Sequence, residues 1–214
     1  MTRKSRLRTL TSLVIIGACV YAISGAVTLL RYSSTNNVAN DAAGVSALAS
    51  YANVFPVGHL ARQRLAQWAS QGGSPAQMIE PFSSLLSLTP ADGAAWLALA
   101  QAEASAGMPA DQVVRALAMS SVTAPSESRV MTGRAVFTLQ IWNSAPAEAR
   151  SVFVSDLLWD FANFSKEQIA YIRAAVANLP ADARKRIAAD FRAAGRRGDR
   201  PLRELNLPAS EATP

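Results

Sequence analysis

The chain has 214 residues, half of them hydrophobic and 7% aromatic, which leaves room for one membrane-spanning segment and one domain of ordinary size. Its net charge of +6 is concentrated at one end: residues 1–31 carry five basic residues (Arg3, Lys4, Arg6, Arg8 and Arg31) and no acidic one, whereas the other 183 residues carry sixteen basic and fifteen acidic. The part that folds is nearly neutral and lacks the electrostatic footprint for phosphates, so nucleic acid is excluded as an expected partner.

Thr9–Leu30 is a run of 22 residues without a charge. At about 1.5 Å per residue it covers a bilayer core of about 30 Å. Lipid offers the backbone no hydrogen-bond partners, so such a segment must be helical. Four basic residues precede it, and after Arg31 the next is Arg62. This bias puts the N-terminus in the cytoplasm and the rest of the chain outside, which in a Gram-negative cell is the periplasm. Residues 1–8 then form a basic cytoplasmic N-terminus and residues 9–31 a transmembrane signal-anchor helix in contact with the lipid bilayer. Two other readings stay open. Ser24-Gly25-Ala26 has the small residues of a signal cleavage site, although the apolar run exceeds the usual 7–15 residues or so of a cleaved signal. Ile16-Gly17-Ala18-Cys19 looks like a lipidation site on Cys19, although apolar sequence continues past it to Leu30. As the only cysteine, Cys19 cannot form an internal disulfide. Ala18, Ala22 and Ala26 make a small-residue face suited to close helix packing. Arginine far outnumbers lysine, which occurs only at positions 4, 166 and 185; with the abundant alanine this fits a GC-rich bacterial genome.

Residues 32–55 read as a linker or helix extension, polar from Ser33 to Asn40. A repeat follows over residues 56–125. At a shift of 34, Pro56 falls on Pro90, Leu65-Ala66 on Leu99-Ala100, Gly73 on Gly107 and Pro75-Ala76 on Pro109-Ala110. In each copy a large–small pair lets a neighbouring helix approach, the glycine ends the first helix in a left-handed turn, and the proline starts the second helix. Ser74-Pro75-Ala76-Gln77 adds a capping box, and Asp92 an N-cap ahead of Trp96. This period, with Trp96, Leu99-Ala100, Gly107, Ala116 and Pro125 in the second copy, resembles the tetratricopeptide repeat (TPR) family. Glu103 departs from it, standing where tyrosine is usual, as does Arg62, where tryptophan is usual. The fold class expected is all-α: one transmembrane helix followed by TPR-like antiparallel helical hairpins. The resemblance implies a concave surface lined by the first helix of each hairpin. Carried over by position, it makes Gln63, Gln67, Ser70, Leu97, Gln101 and Arg129 the candidate partner-binding residues.

Residues 126–199 continue as further helical hairpins. One helix is expected over residues 126–142, one after Pro146, one behind the Ser165–Gln168 capping box, and one from Pro180 to Gly195 or Gly198. Residues 200–214 read as an irregular tail, with Leu202, Leu205 and Leu207 docking on the domain.

No nucleophile elbow, phosphate-cradling loop or dinucleotide fingerprint occurs, and a single histidine, His59, rules out multi-histidine zinc spacing. No catalytic residue, metal ligand or cofactor is therefore expected. Asp156 and Asp160, one turn apart, could chelate a cation or pair as acid and base, but without other ligands nearby in sequence they read mainly as a solvated helix face. Arg129, Arg134 and Arg150, with the spacing Trp142-Pro146-Arg150, form the densest polar group. Arg134 stands where a packed leucine is expected, leaving two readings: an ion pair with Asp156 or Asp160, or a contact with an acidic partner. The arginine surplus from Arg184 to Arg203 reads as a charged solvated helix or a surface for anionic lipid or polysaccharide. The resulting expectation is a non-catalytic scaffold binding a protein partner in the bacterial cell envelope, in surface-polysaccharide assembly, secretion or translocation. The alternatives are a cell-wall or glycan-processing enzyme, or its accessory subunit, and a periplasmic holder of unfolded clients.

Overall fold

The computed structural model describes residues 3–38 and 42–208. Asn40, at the end of the polar stretch of the expected linker, and the tail beyond residue 208 lie outside the described residues. Among those described the protein is all-α, without a strand, and its chain divides into two compact units, residues 1–73 and 74–214.

In the first unit, α1 (Arg3–Val38) contains a stretch, Thr11–Thr35, long and apolar enough to cross a membrane. Leu13, Val14, Ile15, Ile16, Val20 and Ile23 are all exposed. The helix continues unbroken through the polar Ser33–Asn37 segment. α2 (Ala42–Ala49) folds back beside it, and α3 (Gly58–Gly72) returns. Leu48 and Ala61 are fully buried where these helices meet, with Tyr32, Tyr51 and Leu65 packed against them. Tyr32 and Tyr51 meet edge to face at 5.9 Å. His59, at the start of α3, is exposed.

One cap departs from expectation. Gly73 follows α3 in an extended conformation (φ −76°, ψ 151°), not the left-handed one. Its lack of a side chain serves close approach instead: a Cβ there would lie 2.7 Å from the Ala69 carbonyl oxygen. Gly107, its counterpart in the second copy, does take the left-handed turn, at φ +71°.

The second unit begins with α4 (Pro75–Leu86), α5 (Gly93–Ser105), α6 (Ala110–Thr123) and α7 (Ser128–Gln140). It continues with α8 (Ala147–Asp160), α9 (Lys166–Ala177), α10 (Ala181–Ala193) and α11 (Asp199–Glu204). The first sequence copy thus divides between the units, with α3 in one and α4 in the other, while α5 and α6 form a packed hairpin. Local chemistry explains the helix starts. Ala95 N–H donates to Asp92 Oδ1 at 2.9 Å. Ser165 and Gln168 form a reciprocal capping box, at 2.8 and 3.2 Å. Pro146 and Pro180 stand at the N-caps of α8 and α10. The expected irregular tail is helical as far as Glu204, and it docks: Leu205 and Leu207 are buried in the core. That core runs from Met131, Leu139 and Trp142 through Phe153, Leu157 and Ile172 to Ile187 and Phe191. Trp142 and Phe153 meet edge to face at 5.5 Å.

Arg134, on α7, is fully buried, and the structure selects the ion-pair reading. Its Nε and Nη2 donate to the two carboxylate oxygens of Asp156 on α8, at 2.8 and 3.1 Å. Its Nη1 donates to the backbone oxygens of Ser120 and Ala124 at the end of α6, at 2.9 and 3.1 Å. A cation is favourable at a helix C-terminus, where carbonyls lack helical partners. Ser120 Oγ in turn donates to the Gly93 carbonyl at the start of α5, at 2.8 Å. α5 and α6 approach so closely there that a Cβ on Gly93 would fall 2.3 Å from the Ala124 Cβ. Burial pushes the Asp156 carboxyl above its ordinary value, against the pull of Arg134's hydrogen bonds and charge. Asp156 is fully engaged by this pair and is not part of a solvated face, a cation site or an acid–base pair. The side chain of Asp160 lies outside the described part of the structure.

Removing one partner, by Arg134→Met or Asp156→Leu, is expected to destabilise the second unit by about 3–5 kcal/mol. The double replacement should recover most of that loss, because it leaves no buried charge alone. Urea denaturation of the four proteins, followed by tryptophan fluorescence, measures the coupling.

Glu103 on α5 is also buried. Its Oε1 accepts from Gln112 Nε2 at 2.9 Å, and its Oε2 has no hydrogen-bond partner among the described residues. Burial raises its carboxyl above the ordinary value of 4.5, against the pull of Gln112 and Arg115. Between the ordinary and raised values the folded state keeps a proton that the unfolded state has released. Stability therefore falls as pH rises through that window and stays lower above it. Glu103→Gln is expected to raise the urea midpoint at pH 7 and to flatten its decline above pH 4.5, leaving the contribution of Asp156, which has the same sign.

Candidate functional site

α8 and α10 each turn one face to the core and leave a flank for solvent. On α8, Ala149, Phe153 and Leu157 are buried, and Ser151, Val154, Ser155 and Leu158 run along the adjoining flank at helical spacing. On α10, Ala183, Ile187 and Phe191 are buried, and Arg186, Ala189, Asp190 and Ala193 lie beside them. The small side chains of Ala189 and Ala193, facing Val154 and Leu158, leave a groove of about 800 Å³. Its lining is mostly apolar and includes Trp142, which is itself buried.

Aromatic and cationic groups frame this groove. Arg150 lies over the Trp142 ring, 5.9 Å from its centroid, which gives the Trp142–Pro146–Arg150 spacing a physical meaning. Trp142 Nε1 is buried without a hydrogen-bond partner among the described residues. Trp159 is 78% exposed, a high value for so large an apolar side chain. Arg197 lies 5.7 Å from its ring centroid, brought there by the turn that starts at Gly195 (φ +62°). Arg186 is held in an exposed one-turn pair with Asp182 at 2.8 Å. Three guanidinium groups thus line the groove against one carboxylate, Asp190. Such a surface can accept carboxylates at its rim and an apolar side chain on its floor. A smaller groove, of about 390 Å³, lies between α7 and α9 beside the exposed Tyr171.

The residues selected by repeat position are distributed differently. Gln63, Gln67 and Ser70 share an exposed face of α3 in the first unit, where Gln67 Oε1 accepts from Arg64 at 3.1 Å. Gln101 on α5 and Arg129 on α7 are exposed in the second unit. Leu97 is a correction: it is buried, and a Cβ on Gly133 of α7 would lie 2.7 Å from its Cδ2. It packs α5 against α7 and presents no surface to a partner. Trp159 was not legible as a site residue, because exposure of an aromatic on an amphipathic helix is decided by where α10 docks. The signal available was the second apolar stripe on α8, Val154 and Leu158, beside the core stripe of Phe153 and Leu157.

No cluster of three or more His, Cys, Asp or Glu side chains suited to a metal ion occurs among the described residues. Comparison of the chain with protein-family models, with curated proteins and with solved structures gives no match.

Proposed function

We propose that this chain is a single-pass protein of the bacterial inner membrane, with a cytoplasmic N-terminus and a periplasmic α-helical domain that binds a protein partner of the cell envelope without catalysing a reaction. The observation that carries this reading is the groove between α8 and α10, with the exposed Trp159 beside Arg150, Arg186 and Arg197. Tryptophan and arginine are the side chains most enriched among the residues that dominate protein–protein binding energy. The occupant that fits is a segment of an envelope protein with an apolar anchor flanked by acidic side chains, since the rim has more cations than carboxylates. The α5–α6 hairpin, with its left-handed Gly107 and buried Leu99, Ala100 and Ala116, supports a TPR-like reading of the domain. Gln63, Gln67, Ser70, Gln101 and Arg129 supply further polar surface for the partner. The charge-poor stretch of α1 and the basic residues before it support the membrane orientation.

Photo-crosslinking from Ser155, inside the groove, in native membranes tests this reading. One acidic-segment partner should be captured repeatedly, and Trp159→Ala should lower its capture about tenfold or more while leaving stability unchanged, because the side chain is exposed. Capture that is indifferent to both Trp159→Ala and Arg150→Glu would remove the groove from consideration as the binding site.

A further inference from the structure

The turn between α2 and α3 reaches far down α1. Phe55 is 75% exposed, yet its ring lies 6.3 Å from that of Tyr21, in a stacked arrangement. Phe55 and Pro56 line one side of a shallow groove whose other side is formed by Tyr21, Ala22, Gly25, Ala26 and Leu29 of α1.

The position of Tyr21 along α1 fixes the depth of this contact. Arg8 is the last charged residue before the apolar run, and Tyr21 is 13 residues beyond it. At about 1.5 Å per residue that is about 20 Å, short of a hydrocarbon core of about 30 Å. A helix entering at Thr9 reaches the outer boundary about 20 residues later, near Leu29. Tyr21 and the side chain stacked on it therefore fall below that boundary. Tilting the helix only deepens them.

We infer that the α2–α3 turn is seated in the outer leaflet, with Phe55 and Val54 inserted among the phospholipid acyl chains beside Tyr21. This rests on the membrane-spanning reading of α1. The turn is suited to the location. Its backbone is largely satisfied internally: the N–H groups of Tyr51, Ala52 and Val54 donate to the carbonyls of Leu48, Ala49 and Tyr51 at 2.9–3.1 Å. Pro56 has no N–H to satisfy, and Arg62 Nε donates to the Ala52 carbonyl at 3.0 Å. Val54, Phe55 and Leu60 are exposed apolar side chains at the turn and the first residues of α3. Seated this way, the first unit grips the bilayer by a helix and a turn, which fixes the rotation of α1 about its own axis as well as its depth.

The test uses the full chain carrying Cys19→Ser, reconstituted into phosphatidylethanolamine–phosphatidylglycerol vesicles. A single polarity-sensitive fluorophore is attached at Phe55→Cys, at Val54→Cys, at Leu13→Cys within the apolar run, or at Gln71→Cys at the far end of α3. The labels at positions 54 and 55 should show blue-shifted emission and quenching by spin-labelled lipid like that at Leu13→Cys, and the same cysteine variants left unlabelled should react at least fivefold more slowly than unlabelled Gln71→Cys with a membrane-impermeant maleimide. Water-like, unquenched labels at both turn positions, with Leu13→Cys quenched, overturn the inference and leave the anchor intact. Loss of quenching at Leu13→Cys as well overturns the anchor reading itself.

Discussion

The second unit depends on one buried cation. Arg134 carries a full charge into a position with no access to water, a cost that only complete pairing offsets. Asp156 supplies the opposite charge from α8, and the end of α6 supplies two carbonyls. Through Ser120 the same cluster reaches the first residue of α5. Four helices must therefore meet in one register for any of them to be satisfied. An apolar core tolerates small slips along a helix axis, whereas a bidentate guanidinium–carboxylate pair does not. The pair fixes α8 against α7, and α8 is one wall of the α8–α10 groove.

Much of the fold is written locally. Proline at helix starts, the Ser165–Gln168 box and the Asp92 cap are short-range signals whose chemistry needs nothing beyond the next turn. They mark the starts of α5, α8, α9 and α10. Long-range information was harder to read. Gly73 and Gly107 occupy equivalent places in the sequence repeat, yet one is extended and the other left-handed. Leu97 reads as a groove residue by position and is buried because Gly133 lets α5 and α7 close over it. The tail from Arg200 was read as irregular, yet it is helical to Glu204 and held by the burial of Leu205 and Leu207. Arg134 was recognised as an oddity, but only the packed helices single out Asp156 as its partner.

The binding surface was the least legible part. Its chemistry is visible as arginines and tryptophans scattered from Trp142 to Arg197. Their convergence depends on alanines at 189 and 193, whose contribution is the volume they leave empty. A sequence pattern registers the side chains that are present and is blind to a gap between two helices.

The placement of Leu205 and Leu207 in the same core as Met131 has a consequence for the order of events during synthesis. A chain made from its N-terminus cannot complete that core until the final helix has emerged. Until then α7 to α10 lack their last apolar contacts, and the growing chain stays looser than the finished domain.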